Sequence, residues 1–266
     1  MAYRMRVVPK RKRRNGNGNA EVSADAPTKA PYGLQVVESC LDCPLITDNI
    51  FCDLSVRALQ GLDSITSPAT YPKGAILFVE GQEPRGVFVV CSGRVKLSAG
   101  STSGKALILR IAESGEVVGL PATISGKPYE ATAEALEPIQ ASFIPREQFL
   151  QFLRENGEAS LRVAEILSNI YRATYQEVRY LGLSGSAAGK LARFLLDLVE
   201  THGTAENGTV RATMTLTHEE IAEMIGTSRE TVTRLFADFK RRQLLEVHGS
   251  ALVIRDKVAM QKVFEA

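Results

Sequence analysis

Leu216-Thr-His-Glu-Glu-Ile-Ala-Glu-Met-Ile-Gly-Thr-Ser-Arg-Glu-Thr-Val-Thr-Arg-Leu-Phe-Ala-Asp-Phe239 is the stretch on which the fold turns. Thr217 followed three residues later by Glu220 has the spacing of a capping box, in which each side chain satisfies the other's orphan backbone N–H. It predicts a short helix with Ile221, Ala222 and Ile225 facing inward. Gly226 ends it, because the left-handed turn that closes a helix costs glycine nothing. Ser228 can cap a second helix, with Val232, Leu235, Phe236 and Phe239 turned to a core. That leaves Arg229, Glu230, Thr233 and Arg234 together on the outer face of the first turn and a half. From there a helix can reach base edges in a major groove: arginine donates twice to guanine, and glutamate accepts from cytosine. Thr217, Thr227, Ser228, Arg229, Glu230, Thr233, Arg234 and Lys240 are the candidate DNA contacts. Lys240, Arg241 and Arg242 suit phosphates as well as the negative end of their helix.

Outward from this core, Leu244 to Ile254 alternates around Gly249-Ser250 and predicts a hairpin wing. Upstream, Ser186 can cap a helix from Ala187 to about Glu200 that buries Leu191, Phe194, Leu195 and Leu198. Gly182, Ser184 and Gly185 predict a break and a hinge at 182–186. Before it, a helix over about 158–181 carries Ala164, Leu167, Tyr171, Thr174, Val178 and Leu181 at alternating spacings of three and four, a heptad seam that calls for a partner helix. A second copy is the simplest partner, and packing on the chain's own upstream domain is the other reading. Between Ser64 and Arg146, short apolar runs punctuated by glycine (75–79, 87–90, 94–97, 107–109, 116–119, 139–144) predict an antiparallel roll rather than a parallel sheet.

The chain of 266 residues is long enough for two compact domains, and 44% hydrophobic with 23% charged residues is an ordinary globular balance. Residues 1–30 hold eight basic residues against Glu21 and Asp25, an excess of six, so the rest of the chain carries −4 of the net +2. Any nucleic-acid surface is therefore a local patch, and residues 1–30 are expected to be a disordered basic tail. The expected division is tail 1–30, sensory roll 31–157, dimerisation helix and hinge 158–184, and DNA-binding domain 185–266. No long apolar run and no apolar leader stand in the sequence, so a cytoplasmic protein without membrane contact is expected. The four cysteines of such a protein are then free thiols, metal ligands or redox groups rather than disulfides.

These segments together resemble the Crp/Fnr superfamily of bacterial transcription regulators over roughly residues 35–260. Ser228-Arg-Glu-Thr-Val-Thr-Arg234 resembles its helix-turn-helix signature, and Lys73-Gly74, Gly81, Ser92-Gly93 and Val95-Lys96 resemble its cyclic-nucleotide-binding β-roll. The resemblance implies an α+β fold: antiparallel roll, long dimerisation helix and C-terminal winged helix-turn-helix. It also implies a homodimer on a two-fold symmetric site, in contact with RNA polymerase; the trio Arg229, Glu230 and Arg234 is similar to that of members reading a TGTGA-like half-site.

For the signal, members that bind cyclic nucleotide carry an arginine followed by Ser or Ala where this chain reads Tyr129-Glu130, so cAMP is not expected. All three histidines (His202, His218, His248) stand at or beyond the DNA-binding half, which disfavours haem in the roll. Cys40, Cys43 and Cys52 resemble the N-terminal cluster of the Fnr branch, which implies a [4Fe–4S] centre with Cys91 as the remaining cysteine; Ser142 stands where that branch has its internal ligand. A thiol or zinc site, and buried cysteines without a role, are the alternatives. An enzyme is not expected, since no histidine precedes His202 and no cysteine lies in a nucleophile motif. A roll-type regulatory subunit of another protein is the remaining class, against which the 228–234 face speaks.

Overall fold

The computed structural model describes residues 31–34, 36–43, 54–100, 106–183, 186–206 and 209–265. The expected tail, Cys52 and hinge residues 184–185 lie outside the described residues. The chain divides into two compact units, a roll unit chiefly of residues up to 98 with 111–167, and a C-terminal unit chiefly of 168 onward.

In the roll unit, α1 (Val56–Asp63) precedes β1 (Ser67–Tyr71), β2 (Ile76–Phe78), β3 (Gly86–Ser92), β4 (Val95–Gly100), β5 (Ala106–Ala112) and β6 (Val117–Val118). A short α2 (Leu120–Ser125), then β7 (Thr132–Ala135), β8 (Ile139–Pro145) and α3 (Arg146–Glu155) complete it. The strands form two antiparallel sheets, ordered β1-β8-β3-β6 and β2-β7-β4-β5. β3 and β8 are central and largely buried, as their near-continuous apolar runs require of strands covered on both faces. The antiparallel roll expected from the glycine-punctuated pattern is present; β1, β7 and α3 are elements that the pattern did not announce.

Aromatic rings fill the interior of the roll. Phe78 and Tyr129 stack with centroids 4.0 Å apart, and Phe88 packs against Phe78, Tyr71 and Phe143. The buried Tyr129 hydroxyl donates to Gly86 O at 2.7 Å, which meets the requirement that a buried phenol find a partner.

α4 (Gly157–Leu183) is two residues longer at its C-terminus than the seam predicts and takes Gly182 inside, so the helix passes the glycine that was expected to break it. A single helical glycine costs about 1 kcal/mol, too little to stop 27 residues. Ala159, Val163 and Ile166 are buried along its first half.

In the C-terminal unit, Ser186 caps α5 (Ala187–His202) by accepting from Gly189 N. β9 (Thr204–Glu206) and β10 (Thr209–Thr213) follow, then α6 (His218–Ile225), α7 (Arg229–Arg241), the hairpin β11 (Leu245–His248) and β12 (Ala251–Ile254), and α8 (Lys257–Glu265). The wing is wider than a hairpin, since β10 pairs with β12 and gives the sheet order β11-β12-β10-β9. Leu191, Leu195, Ile221, Val232, Phe239, Leu252 and Met260 form a fully buried core that fixes α6 and α7 on α5. Among the described residues, no helix is long and apolar enough to cross a membrane.

Candidate nucleic-acid interface

The capping box at the start of α6 is formed: Thr217 Oγ1 accepts from Glu220 N at 3.2 Å, and Glu220 accepts from Thr217 N at 2.7 Å. Gly226 closes α6 at φ 65°, and Thr227 crosses to α7 with its N–H bonded to Ala222 O at 2.9 Å. Ser228 caps α7, accepting from Thr231 N at 3.2 Å. With Val232, Phe236 and Phe239 buried, α7 is held by one face. Its opposite face presents Arg229, Glu230, Thr233, Arg234 and Lys240, all exposed, beside exposed Thr217 and Ser228; Thr227 is half-buried. Arg229, Glu230, Thr233, Arg234 and Lys240 thus stand exposed on a helix that is capped at its start and buried along its other side.

The electrostatics match a reading head. The Glu230 carboxyl is held below its usual range first by its own backbone N–H, then by the Ser228 hydroxyl and the Arg229 charge, so it is an acceptor at neutral pH. Arg241 and Arg242 both turn to Asp238, the latter at 3.4 Å, which engages part of the expected phosphate-binding charge within the helix. One neighbour was not singled out for this surface. His218, the first residue of α6, stacks on Phe236 and hydrogen-bonds Thr233 at 2.9 Å, a contact between helices that periodicity does not reveal.

A second site lies in the roll unit, where residues 36–43 form a strap. Fully buried Gln140 clasps Val37 through both its amide atoms, and Asp63 accepts from Cys40 N at 2.6 Å and Ser39 Oγ at 3.0 Å. The strap brings Cys40 and Cys43 to the same small cavity as Cys91, with Ser142 on its wall 3.4 Å from Cys91 Sγ. Burial pushes the Cys91 thiol upward and the neighbouring Cys43 adds to the rise, while the hydrogen bond with Ser142 opposes it. The cavity measures about 20 Å³, room for about one water. Among the described residues, no three potential ligands are grouped to hold a metal ion.

Tyr129, the residue that tells against a bound cyclic nucleotide on the resemblance drawn from the sequence, is turned into the aromatic stack. The Cyclic nucleotide-binding domain family nonetheless matches residues 68–156, and the Crp-like helix-turn-helix domain family matches residues 189–263. The chain belongs to the Crp/Fnr superfamily. As a Crp/Fnr protein it is a transcription regulator with a DNA-binding helix-turn-helix. It is similar to the CRP-like cAMP-activated global transcriptional regulator of Mycobacterium tuberculosis, 28% identical over 81% of this chain and 96% of that one. The Transcriptional activator protein FnrA of Stutzerimonas stutzeri is 27% identical over 83% and 90%. The structure of a CooA mutant from Carboxydothermus hydrogenoformans superposes with a TM-score of 0.67 at 27% identity, covering 76% of this chain and 89% of that chain. These relatives, one of them named as cAMP-activated, match at nearly the same identity, and identity alone does not choose a signal.

Proposed function

We propose that this regulator is a cytoplasmic homodimer that reads a two-fold symmetric TGTGA-like site with Arg229, Glu230 and Arg234, supported at the backbone by Thr217, Thr227, Ser228, Thr233 and Lys240, and acts through RNA polymerase. The observation that carries the reading is the exposed guanidinium–carboxylate–guanidinium trio on the first turns of a capped helix whose other face is core. Dimerisation is supported by the apolar stripe that α4 leaves uncovered in the single chain: Leu161, Tyr171, Tyr175 and Val178 are 62%, 70%, 59% and 63% exposed. Of the expected seam, Ala164 and Thr174 are also exposed, Leu167 is half-buried, and the Leu181 side chain lies outside the described residues. Leu161 and Tyr175 extend the stripe beyond the residues that the heptad names.

Sedimentation of the wild type should give a dimer that shifts a duplex carrying two inverted TGTGA half-sites about one helical turn apart. Charging the stripe with Tyr171→Glu and Val178→Glu should give a folded monomer whose hold on the symmetric duplex is lost. A wild type that is monomeric and ignores the duplex refutes the reading.

The signal is proposed to enter at the strap rather than inside the roll, because Tyr129 occupies the interior in a stack with Phe78. A redox or oxygen signal fits the convergence of Cys40, Cys43 and Cys91 on one cavity. An iron–sulfur centre on these residues with Cys52 is the second reading, favoured by an all-thiol donor set. The described cavity is too small for it, so the strap must shift before a centre could form, and no step is routed through one. Anaerobic purification followed by iron analysis separates the two: stoichiometric iron, lost in Cys91→Ser, supports the centre. Four titratable thiols without metal support a plain thiol sensor.

A further inference from the structure

His218 ties the two reading helices together. Its ring stacks on Phe236 with centroids 4.8 Å apart and an interplanar angle of 14°, and Phe236 is part of the buried core. Its Nδ1 lies 2.9 Å from Thr233 Oγ1, which itself donates to Arg229 O at 3.0 Å. A hydroxyl has one proton; when Thr233 gives it to the Arg229 carbonyl, Nδ1 is the donor of the pair. In that arrangement the neutral ring carries its proton on Nδ1 and leaves Nε2 free to take a second one. A second proton can be added at Nε2 without disturbing the bond that orients Thr233.

In the free protein the surroundings oppose that proton. Partial burial comes first, followed by the positive charges of Lys240 and Arg229 on α7, the helix against which the ring packs, and these hold His218 below its ordinary value. Its place at the positive end of α6 acts in the same direction. The acidic groups of its own helix are Glu219, Glu220 and Glu223, of which Glu220 is engaged in the cap at Thr217. Nucleic acid laid on the face formed by Thr217, Arg229 and Thr233 brings phosphates to Lys240 and near the ring, and reverses the field there. The cationic ring, with a donor now on Nε2, is then the favoured form.

We propose that His218 is a positioning residue of the DNA-reading face that holds Thr233 and takes up a proton when the helix-turn-helix engages DNA, so that affinity rises as pH falls. The proposal rests on the DNA reading above and adds a proton linkage to it. The sign follows from the two states: if the bound form has the higher pKa, binding consumes a proton, and the gain grows as pH falls through the bound value and is complete below the free one. A rise of one unit on the complex makes binding up to about tenfold tighter per subunit at the acidic end.

The test is fluorescence anisotropy on the symmetric TGTGA-containing duplex at constant ionic strength between about pH 5 and 8, the range in which histidine titrates. The wild type is expected to tighten with acidity, and calorimetry in buffers of different ionisation heat to read net proton uptake. His218→Asn keeps an amide donor toward Thr233 but cannot become charged, and is expected to give a flat profile; His218→Gln, whose amide stands nearer the Nε2 position, is expected to be flat and weaker. NMR titration of the wild-type histidine rings, free and DNA-bound, reads the same shift with no variant. A wild-type profile as flat as that of His218→Asn overturns the proposal and leaves the DNA reading standing, and a slope that persists in His218→Asn overturns it in favour of His202 or His248. A wild type that binds no duplex at any pH or salt overturns the DNA reading and this proposal with it.

Discussion

Replacing Arg229 with alanine is expected to weaken binding to the symmetric duplex by about 1–3 kcal/mol per subunit, the worth of one bidentate arginine–guanine pair. Across a two-fold complex even the lower bound amounts to roughly thirtyfold. The side chain is exposed and stands in the first turn of a helix held by its opposite face, so its removal should leave the melting temperature unchanged. The loss should be confined to specific binding, because phosphate contacts elsewhere still attract any duplex at low salt. Arg229→Lys separates charge from geometry: the point charge survives and the planar fork does not, so the salt slope should be kept while discrimination between TGTGA and scrambled half-sites falls. Competition gel shifts with both duplexes measure this, and equal affinity of Arg229→Ala and wild type for the symmetric site would remove Arg229 from the reading face.

The largest loss of stability is expected at Gly86. A Cβ there would stand 2.0 Å from Ile144 O and 2.9 Å from the Phe143 ring. A ring can move, but that carbonyl belongs to β8, the strand between β1 and β3, and cannot retreat without parting the sheet. Gly86 also accepts from Thr123 Oγ1 at 2.9 Å and from the Tyr129 hydroxyl, so a shift of its backbone strips partners from two buried donors. Gly86→Ala is expected to cost about 3 kcal/mol or more, at or above the top of the usual range for overpacking. Gly157→Ala, where the added carbon meets nothing within 4 Å, is the matched control and should be neutral or slightly stabilising. Urea unfolding followed by circular dichroism checks both; a Gly86→Ala midpoint equal to that of the control would show that β3 and β8 are not packed this closely.

Legibility in the sequence followed the strength of local signals. Thr217, Glu220, Gly226 and Ser228 are signals that act within one helical turn, and the caps that they predict are formed. β3 and β8 announce themselves as apolar runs. β1 and β7 do not: Ser67-Pro-Ala-Thr-Tyr71 and Thr132-Ala-Glu-Ala135 have weak strand propensity and become strands because β8, and β2 with β4, supply ladders for them to join. Alanines at 133 and 135 are fully buried there, where larger side chains would crowd the aromatic interior. Spacing could not show that the strap brings Cys40 and Cys43 to Cys91, since Gln140 and Asp63, which hold the strap, lie a hundred and two dozen residues away along the chain. The His218–Thr233 bond was hidden for the same reason, its partners meeting only once α6 and α7 have docked.

The Phe78–Tyr129 stack makes the hollow of this roll a stoppered vessel. Its walls are braced from within by side chains of the chain itself. A signal acting at the strap, as proposed above, would therefore meet a scaffold that needs no effector in the middle to hold its shape.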